Sequence, residues 1–177
     1  YSALENGMVS SSTFLSEPTT FVFSSNQSYS PANYNDKYAN KNITMAAALS
    51  YSDNIYAVKT HLFLGEDNLV NIAKRMGIKK ELEALPSLAL GTCELSMLDF
   101  ARAYTTLASG GFKREISFIN KVEDMNGNTL YEKEIIDDQV LNTSYTYILN
   151  EMMTSTYNSA FIDYSNPTVL SIASKIS

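Results

Sequence analysis

Leu69, Ile72, Ala73 and Met76 are spaced i, i+3, i+4, i+7, the apolar stripe of one helix face, and Gly77 stops the pattern. Similar patterns run upstream. Thr44 stands as a cap before a helix over Met45–Tyr51, and Ile55, Val58 and Leu62 share one face of a second helix from Asn54 to Leu64, closed by Gly65. Downstream, Ser96 and Asp99 have capping-box spacing and open a helix to about Ala108, which Gly110-Gly111 end. A last helix starts at Asp138 or Asn142, with Leu141, Tyr145, Ile148, Leu149 and Met152 on its buried side.

The remaining segments lack the helical period. Residues 1–7 read as a helix tail ending at Gly7, and residues 9–31 as an extended loop with one or two short strands around Phe14, Phe21, Val22 and Phe23. "YSPANYNDKYANKN" reads as irregular structure pinned by its aromatics, and "KKELEALPSLALG" as a connection. From Phe112 to Lys133 the pattern suggests a β-hairpin: Ile116, Phe118 and Val122 on one strand, "MNGNT" as the turn, "LYEKEI" returning. These elements predict an α+β fold, with a helix-rich lobe up to residue 109 and part of an antiparallel sheet.

At 177 residues the chain is long enough for one domain. About 70% of the unfolded surface can be buried at such lengths. The 19 acidic against 13 basic residues give a net charge of −6, which argues against nucleic acid and offers no basic patch for anionic lipid. No signal peptide is visible, and the run Met45–Leu49 is far too short to span a membrane. Both ends break off in mid-pattern, which suggests a fragment. Cys93 is alone, without Lys, Arg or His beside it, so a reactive thiol is not expected. Sequons at Asn26, Asn42 and Asn142 occur at about the chance number.

Little in the sequence announces chemistry. The single histidine, His61, sits in "KTHLFLG" without a metal-ligand cluster around it, and reads as a partly buried helix residue. No G-x-S-x-G elbow or phosphate-binding glycine loop occurs. What remains is S-x-N, a weak pattern that arises here about twice by chance. It occurs as Ser24-Ser25-Asn26, in a serine-rich loop, and as Ser52-Asp53-Asn54, between two helices. Serine-acyl enzymes that recognise penicillin combine S-x-x-K, S-x-N and K-T/S-G. Such a site needs an attacking Ser with a neutral Lys as base, a second Ser to relay the proton, and an Asn to hold substrate and Lys in register. A plain turn with a helix cap would equally explain Ser52-Asp53-Asn54.

The wider context favours the site. "NYNDKYANKNITMAAALSYSDNIYAVKTHLFLG" and "LALGTCELSMLDFARAYTTLASGG" resemble the transpeptidase domain of class A penicillin-binding proteins of low-GC Gram-positive bacteria, and "EKE" and "NPTVLSIASKIS" extend the likeness over nearly the whole chain. The resemblance implies the penicillin-binding/β-lactamase-like transpeptidase fold, with residues 1–177 as a partial domain and Ser52 and Asn54 as catalytic residues. No Lys has a Ser three positions before it, and Lys175-Ile176-Ser177 has Ser where K-T/S-G needs Gly. The S-x-x-K is therefore expected before Tyr1 and the K-T/S-G after Ser177, leaving this chain inert alone.

The implied parent is a membrane-anchored D,D-transpeptidase at the extracytoplasmic face. It would cross-link D-Ala-D-Ala stem peptides and be acylated by β-lactams, with no metal or organic cofactor, and with its membrane anchor outside this chain. A D,D-carboxypeptidase and a non-catalytic β-lactam sensor or scaffold of the same fold are the rivals.

Overall fold

The computed structural model describes residues 1–23 and 26–158. Its elements run α1 (Ser2–Glu5), β1 (Thr13–Ser16), β2 (Phe21–Val22), β3 (Ser28–Tyr29), β4 (Lys41–Thr44), α2 (Met45–Tyr51), α3 (Asn54–Leu64), α4 (Glu66–Arg75) and α5 (Met97–Ala108). Then follow β5 (Phe112–Lys113), β6 (Lys121–Glu123), β7 (Thr129–Glu132), β8 (Asp138–Gln139) and α6 (Thr143–Thr154), with single 3-10 turns at Tyr34–Asp36, Pro86–Leu90 and Ser155–Tyr157.

The helix boundaries follow from side chains that satisfy the first free backbone N–H groups. Thr44 Oγ1 accepts from Ala47 N at 3.2 Å, Ser96 Oγ from Asp99 N at 3.1 Å, and Asn142 Oδ1 from Ser144 N at 2.9 Å. The last of these settles the start of α6 at Asn142. Asp138 instead belongs to β8, which pairs antiparallel with β5. The capping box at Ser96 is only half made. The Asp99 carboxylate is turned to Arg102 Nη1 at 2.9 Å, an ion pair on the buried side of α5.

Leu4, Ile43, Met45, Ala48, Tyr56 and Met152 form one core, so α1, β4, α2, α3 and α6 share a centre. Val70, Ala73, Leu82 and Leu88 form a second, between α4 and the connection to α5. Ile55 and Val58 are fully buried, whereas Leu62 and Leu69 are only half-buried because α3 and α4 turn a narrower stripe inward than the spacing suggests. On α6, Thr146 is buried and Ile148 is exposed, the reverse of what hydrophobicity predicts. Thr146 is accommodated because its hydroxyl donates to the Asn142 carbonyl at 2.9 Å.

The strands form four separate antiparallel pairs among the described residues: β1 with β4, β2 with β3, β5 with β8 and β6 with β7. The hairpin exists but is short. Ile116 and Phe118 lie outside any strand, and every residue of β6 and β7 is exposed. Asp124 shapes the turn by accepting from the backbone N–H groups of Asn126 and Asn128.

Two contacts hold the ends of the helical lobe together. Arg75 forks onto Glu5 at 2.7 and 3.0 Å and also donates to the Val140 carbonyl, tying α1, α4 and the approach to α6. Gly111, at φ +100°, brings its backbone so close to Leu141 that an added Cβ would lie 2.5 Å from the Leu141 oxygen.

Two outcomes follow. Gly111→Ala should destabilise the fold by more than about 1 kcal/mol and by more than Gly127→Ala, because both sites have positive φ but only Gly111 meets backbone. Urea denaturation of the two variants checks this. The Arg75 guanidinium holds the Glu5 carboxyl below the usual glutamate range. A carboxyl with a depressed folded-state pKa contributes stability above its unfolded pKa, about 4.3. That contribution disappears as pH falls through the lower folded value. Glu5→Gln should therefore flatten the acid limb of the stability curve, by under about 1 kcal/mol for so exposed a pair.

Candidate functional site at the junction of α2 and α3

The chain leaves α2 through Ser52 in the left-handed conformation, φ 56° and ψ 50°. The Ser52 N–H donates to the Leu49 carbonyl at 3.3 Å and the Asp53 N–H to the Ala48 carbonyl at 2.9 Å, a C-terminal cap that ordinarily takes Gly or Asn. The other non-glycine residues with positive φ among those described are all Asn or Asp, which tolerate it: Asn26, Asn35, Asp36 and Asn40. A serine there carries roughly 1–2 kcal/mol of backbone cost. The Ser52 side chain is exposed, and its hydroxyl makes no hydrogen bond to any described residue.

Asp53, next to it, is buried with 3% exposure. Its Oδ1 caps α3 by accepting from Tyr56 N at 2.8 Å, and its Oδ2 accepts from Ser16 Oγ at 2.5 Å and from Asn33 Nδ2 at 2.8 Å. The junction is thus bolted to β1 and to the loop before β4. Asn54 begins α3. Its Nδ2 donates to the Ala32 carbonyl at 2.7 Å, which leaves Oδ1 without a partner among the described residues.

Ser52 and Asn54 line one cavity of about 570 Å³, whose walls also include Tyr1, Ala48, Thr60 and Leu64. The walls are mostly apolar, and the Oγ atoms of Ser2 and Thr60, on the same walls, are buried with no hydrogen-bond partner. His61 also lines this cavity, but one of its ring nitrogens is used to hold the fold. It is buried at 5% exposure, and its Nε2–H donates to the Leu85 carbonyl at 3.0 Å, holding the Pro86–Leu90 turn on α3. Tyr56 is also structural: burial pushes its phenol up to about 12, and the hydroxyl donates to the Ser12 carbonyl at 2.7 Å. Among the described residues no group of three His, Cys, Asp or Glu is placed to hold a metal ion. Cys93 packs half-buried against the second core.

The arrangement therefore presents a hydroxyl and an amide oxygen, both unpaired, on a rigid wall beside an apolar cavity. A model of the penicillin-binding protein transpeptidase domain matches residues 1–161. The chain belongs to this transpeptidase domain family. Penicillin-binding protein 2D of Bacillus subtilis (strain 168) is 44% identical over 177 residues, covering 99% of this chain and 26% of the relative. Among solved structures, penicillin-binding protein 1A of Haemophilus influenzae has the same fold, with a TM-score of 0.87 at 22% identity over 99% of this chain and 31% of that one. Penicillin-binding protein A of M. tuberculosis, solved as a penicillin G acyl-enzyme complex, has a TM-score of 0.74 at 17% identity over 88% of this chain and 40% of that one. The chain spans about a quarter of the length of the Bacillus relative. No helix among the described residues is long and apolar enough to cross a membrane.

Of the other S-x-N copy, only Asn26 is described. Ser24 and Ser25 lie outside the described residues, and Asn26 is an exposed turn residue between β2 and β3. The "NPTVLSIASKIS" stretch also lies outside them. The residues that pattern reading misses are Ser16 and Asn33. Ser16 ends β1; the loop that carries Asn33 is anchored by the buried Asn33 amide, while Tyr34 beside it is 75% exposed. The one cue in the sequence is a polar Asn flanked by Pro31-Ala32 and Tyr34, too common to single out.

If Asp53 only capped a helix, Asp53→Ala would cost about 1 kcal/mol. Losing it here also leaves the buried Ser16 hydroxyl and Asn33 amide without their acceptor. The expected loss is therefore at least about 2 kcal/mol, read from urea or thermal unfolding.

Proposed function

We propose that this chain is the part of a serine-type D,D-transpeptidase domain that carries the Ser52–Asn54 wall. Its parent would be a peptidoglycan synthase anchored in the cell membrane and working at the extracytoplasmic face. Its substrates would be D-Ala-D-Ala stem peptides, with β-lactams acylating the same centre. The observation that carries the reading is Ser52: a non-glycine residue in a strained conformation, its hydroxyl free, at the edge of a cavity. Strain of this kind concentrates where function requires one geometry.

The roles follow from the chemistry. The attacking Ser and its Lys would come from the S-x-x-K segment expected ahead of Tyr1; Tyr1, Ser2 and Ala3 line the cavity that Ser52 and Asn54 share. The Lys, neutral, takes the proton of the attacking hydroxyl as the Ser–acyl bond forms. Ser52 passes that proton on to the nitrogen of the departing D-Ala as the amide bond breaks. Asn54, anchored through Nδ2, offers Oδ1 to an N–H of Lys or substrate and so fixes their register. The K-T/S-G strand that would complete the pocket is expected after Ser177. An acyl-enzyme that then reacts with a second stem peptide gives a cross-link, and one that reacts with water gives carboxypeptidase action.

In the full-length protein, Ser52→Ala and Asn54→Ala should slow acylation by a labelled penicillin at least about tenfold, since proton transfer of this kind is worth roughly 10²–10⁴-fold. Melting temperatures should stay close to the parent's, while Ser24→Ala and Asn26→Ala should leave the rate unchanged. A Ser52→Ala protein that acylates normally, or that merely unfolds, would make Ser52 a helix cap. Intact mass spectrometry of the 177-residue chain alone with the same penicillin should show no adduct.

A further inference from the structure

Asn33 is 7% exposed, and all four hydrogen-bonding positions of its side-chain amide are occupied by protein. Oδ1 accepts from Asn54 N at 2.8 Å and from Ile55 N at 3.3 Å. Nδ2 donates to Asp53 Oδ2 at 2.8 Å and to the Lys37 carbonyl at 3.0 Å. Three of the four partners are thus consecutive residues of the junction, and the fourth lies in the loop that carries Asn33 itself.

The first N–H groups of any helix lack partners within it. In α3 these are the N–H groups of Asn54, Ile55 and Tyr56, since Asp53 is the cap. The cap residue serves only the third. Asn33, from another part of the chain, serves the first two. Its neighbour Ala32 holds the Asn54 side chain through its carbonyl. Asn33 therefore fixes the main chain of Asn54, and Ala32 the direction of its amide.

We infer that Asn33 is a positioning residue for the transpeptidase site. Its amide sets where α3 begins and so aims Ser52 and Asn54 at the cavity. With no bonding position left over, it touches neither substrate nor nucleophile. This rests on the transpeptidase reading above. Without Asn33 the N–H groups of Asn54 and Ile55 lose their acceptor and Asp53 loses a donor. The junction then relaxes toward other partners. A shift of about 1 Å at a reacting group can cost on the order of 10²-fold in rate.

The experiment uses the full-length protein and a labelled penicillin. It separates the limiting acylation rate constant from the concentration that half-saturates it and from the fraction of protein finally acylated. Asn33→Ala should lower the limiting rate constant by roughly ten- to a hundredfold. The half-saturating concentration and the acylable fraction should stay near the parent's. A residue that only staples the loop would lower the melting temperature or the acylable fraction and leave the rate constant of the folded molecules unchanged, and that result overturns the inference.

If Asn33→Ala does not fold, Asn33→Asp decides, alone and with Asp53→Asn. The single change sets two carboxyl groups face to face. The double change rebuilds the bond between positions 33 and 53 with donor and acceptor exchanged, though the Lys37 carbonyl stays without its donor, and should recover part of the lost rate constant. No recovery overturns the inference. Ser52→Ala, measured alongside, separates the two claims. If Ser52→Ala acylates normally, the site itself is misassigned. If it is slow while the Asn33 variants keep the parent's rate constant, only the role of Asn33 falls. Asn126→Ala, in the exposed hairpin turn, should match the parent throughout.

Discussion

Asp53 brings a carboxyl group into the interior between two helices, and the surrounding structure is arranged to satisfy it. A polar group removed from water costs several kcal/mol unless its bonds are replaced. Here a main-chain N–H, a serine hydroxyl and an asparagine amide replace them. Each donor comes from a different element. The requirement to satisfy one buried side chain therefore fixes β1, the loop before β4 and the start of α3 relative to one another. Ser16 contributes further through its carbonyl, which accepts from Asn40 N at 2.8 Å, so the loop is held at both ends.

That rigidity makes the conformation of Ser52 affordable within the fold. A left-handed serine relaxes if its neighbours can move. On one side it is closed by the last carbonyls of α2, and on the other it is followed at once by the bolted Asp53. The hydroxyl consequently stands free at the cavity rather than folding back onto the helix end, as cap serines do. Asn54 shows the same division. One half of its amide is used for anchoring and the other half is available. In the proposed site, a wall built this way would leave Ser52 and Asn54 little freedom to lose when a substrate binds.

The hairpin at the far side contrasts with this. Its two strands are exposed throughout, and its turn is shaped by local bonds to Asp124. It depends on short-range sequence and adds nothing to the junction. The helical lobe and the hairpin thus illustrate two grades of order: one set by interlocking buried groups, the other by turn chemistry.

The sequence by itself determined the helices. Thr44 and Ser96 cap where short-range rules say they should, and the limits of α2 and α5 follow from residues within one turn of each end; the pattern left the start of α6 open between Asp138 and Asn142, and the start of α3 depends also on the distant Asn33. It also singled out Ser52 and Asn54, through spacing and context. It did not determine which faces are buried. Ile148 is exposed and Thr146 buried, because burial depends on what another element places opposite. Nor did it reveal Asn33 and Ser16. Hydrogen bonds that Asp53 accepts from residues 20 and 37 positions away leave no periodic trace. Only the tertiary structure brings those residues together, because the demand they meet, a buried carboxyl group at a helix start, exists only once the chain has folded around it.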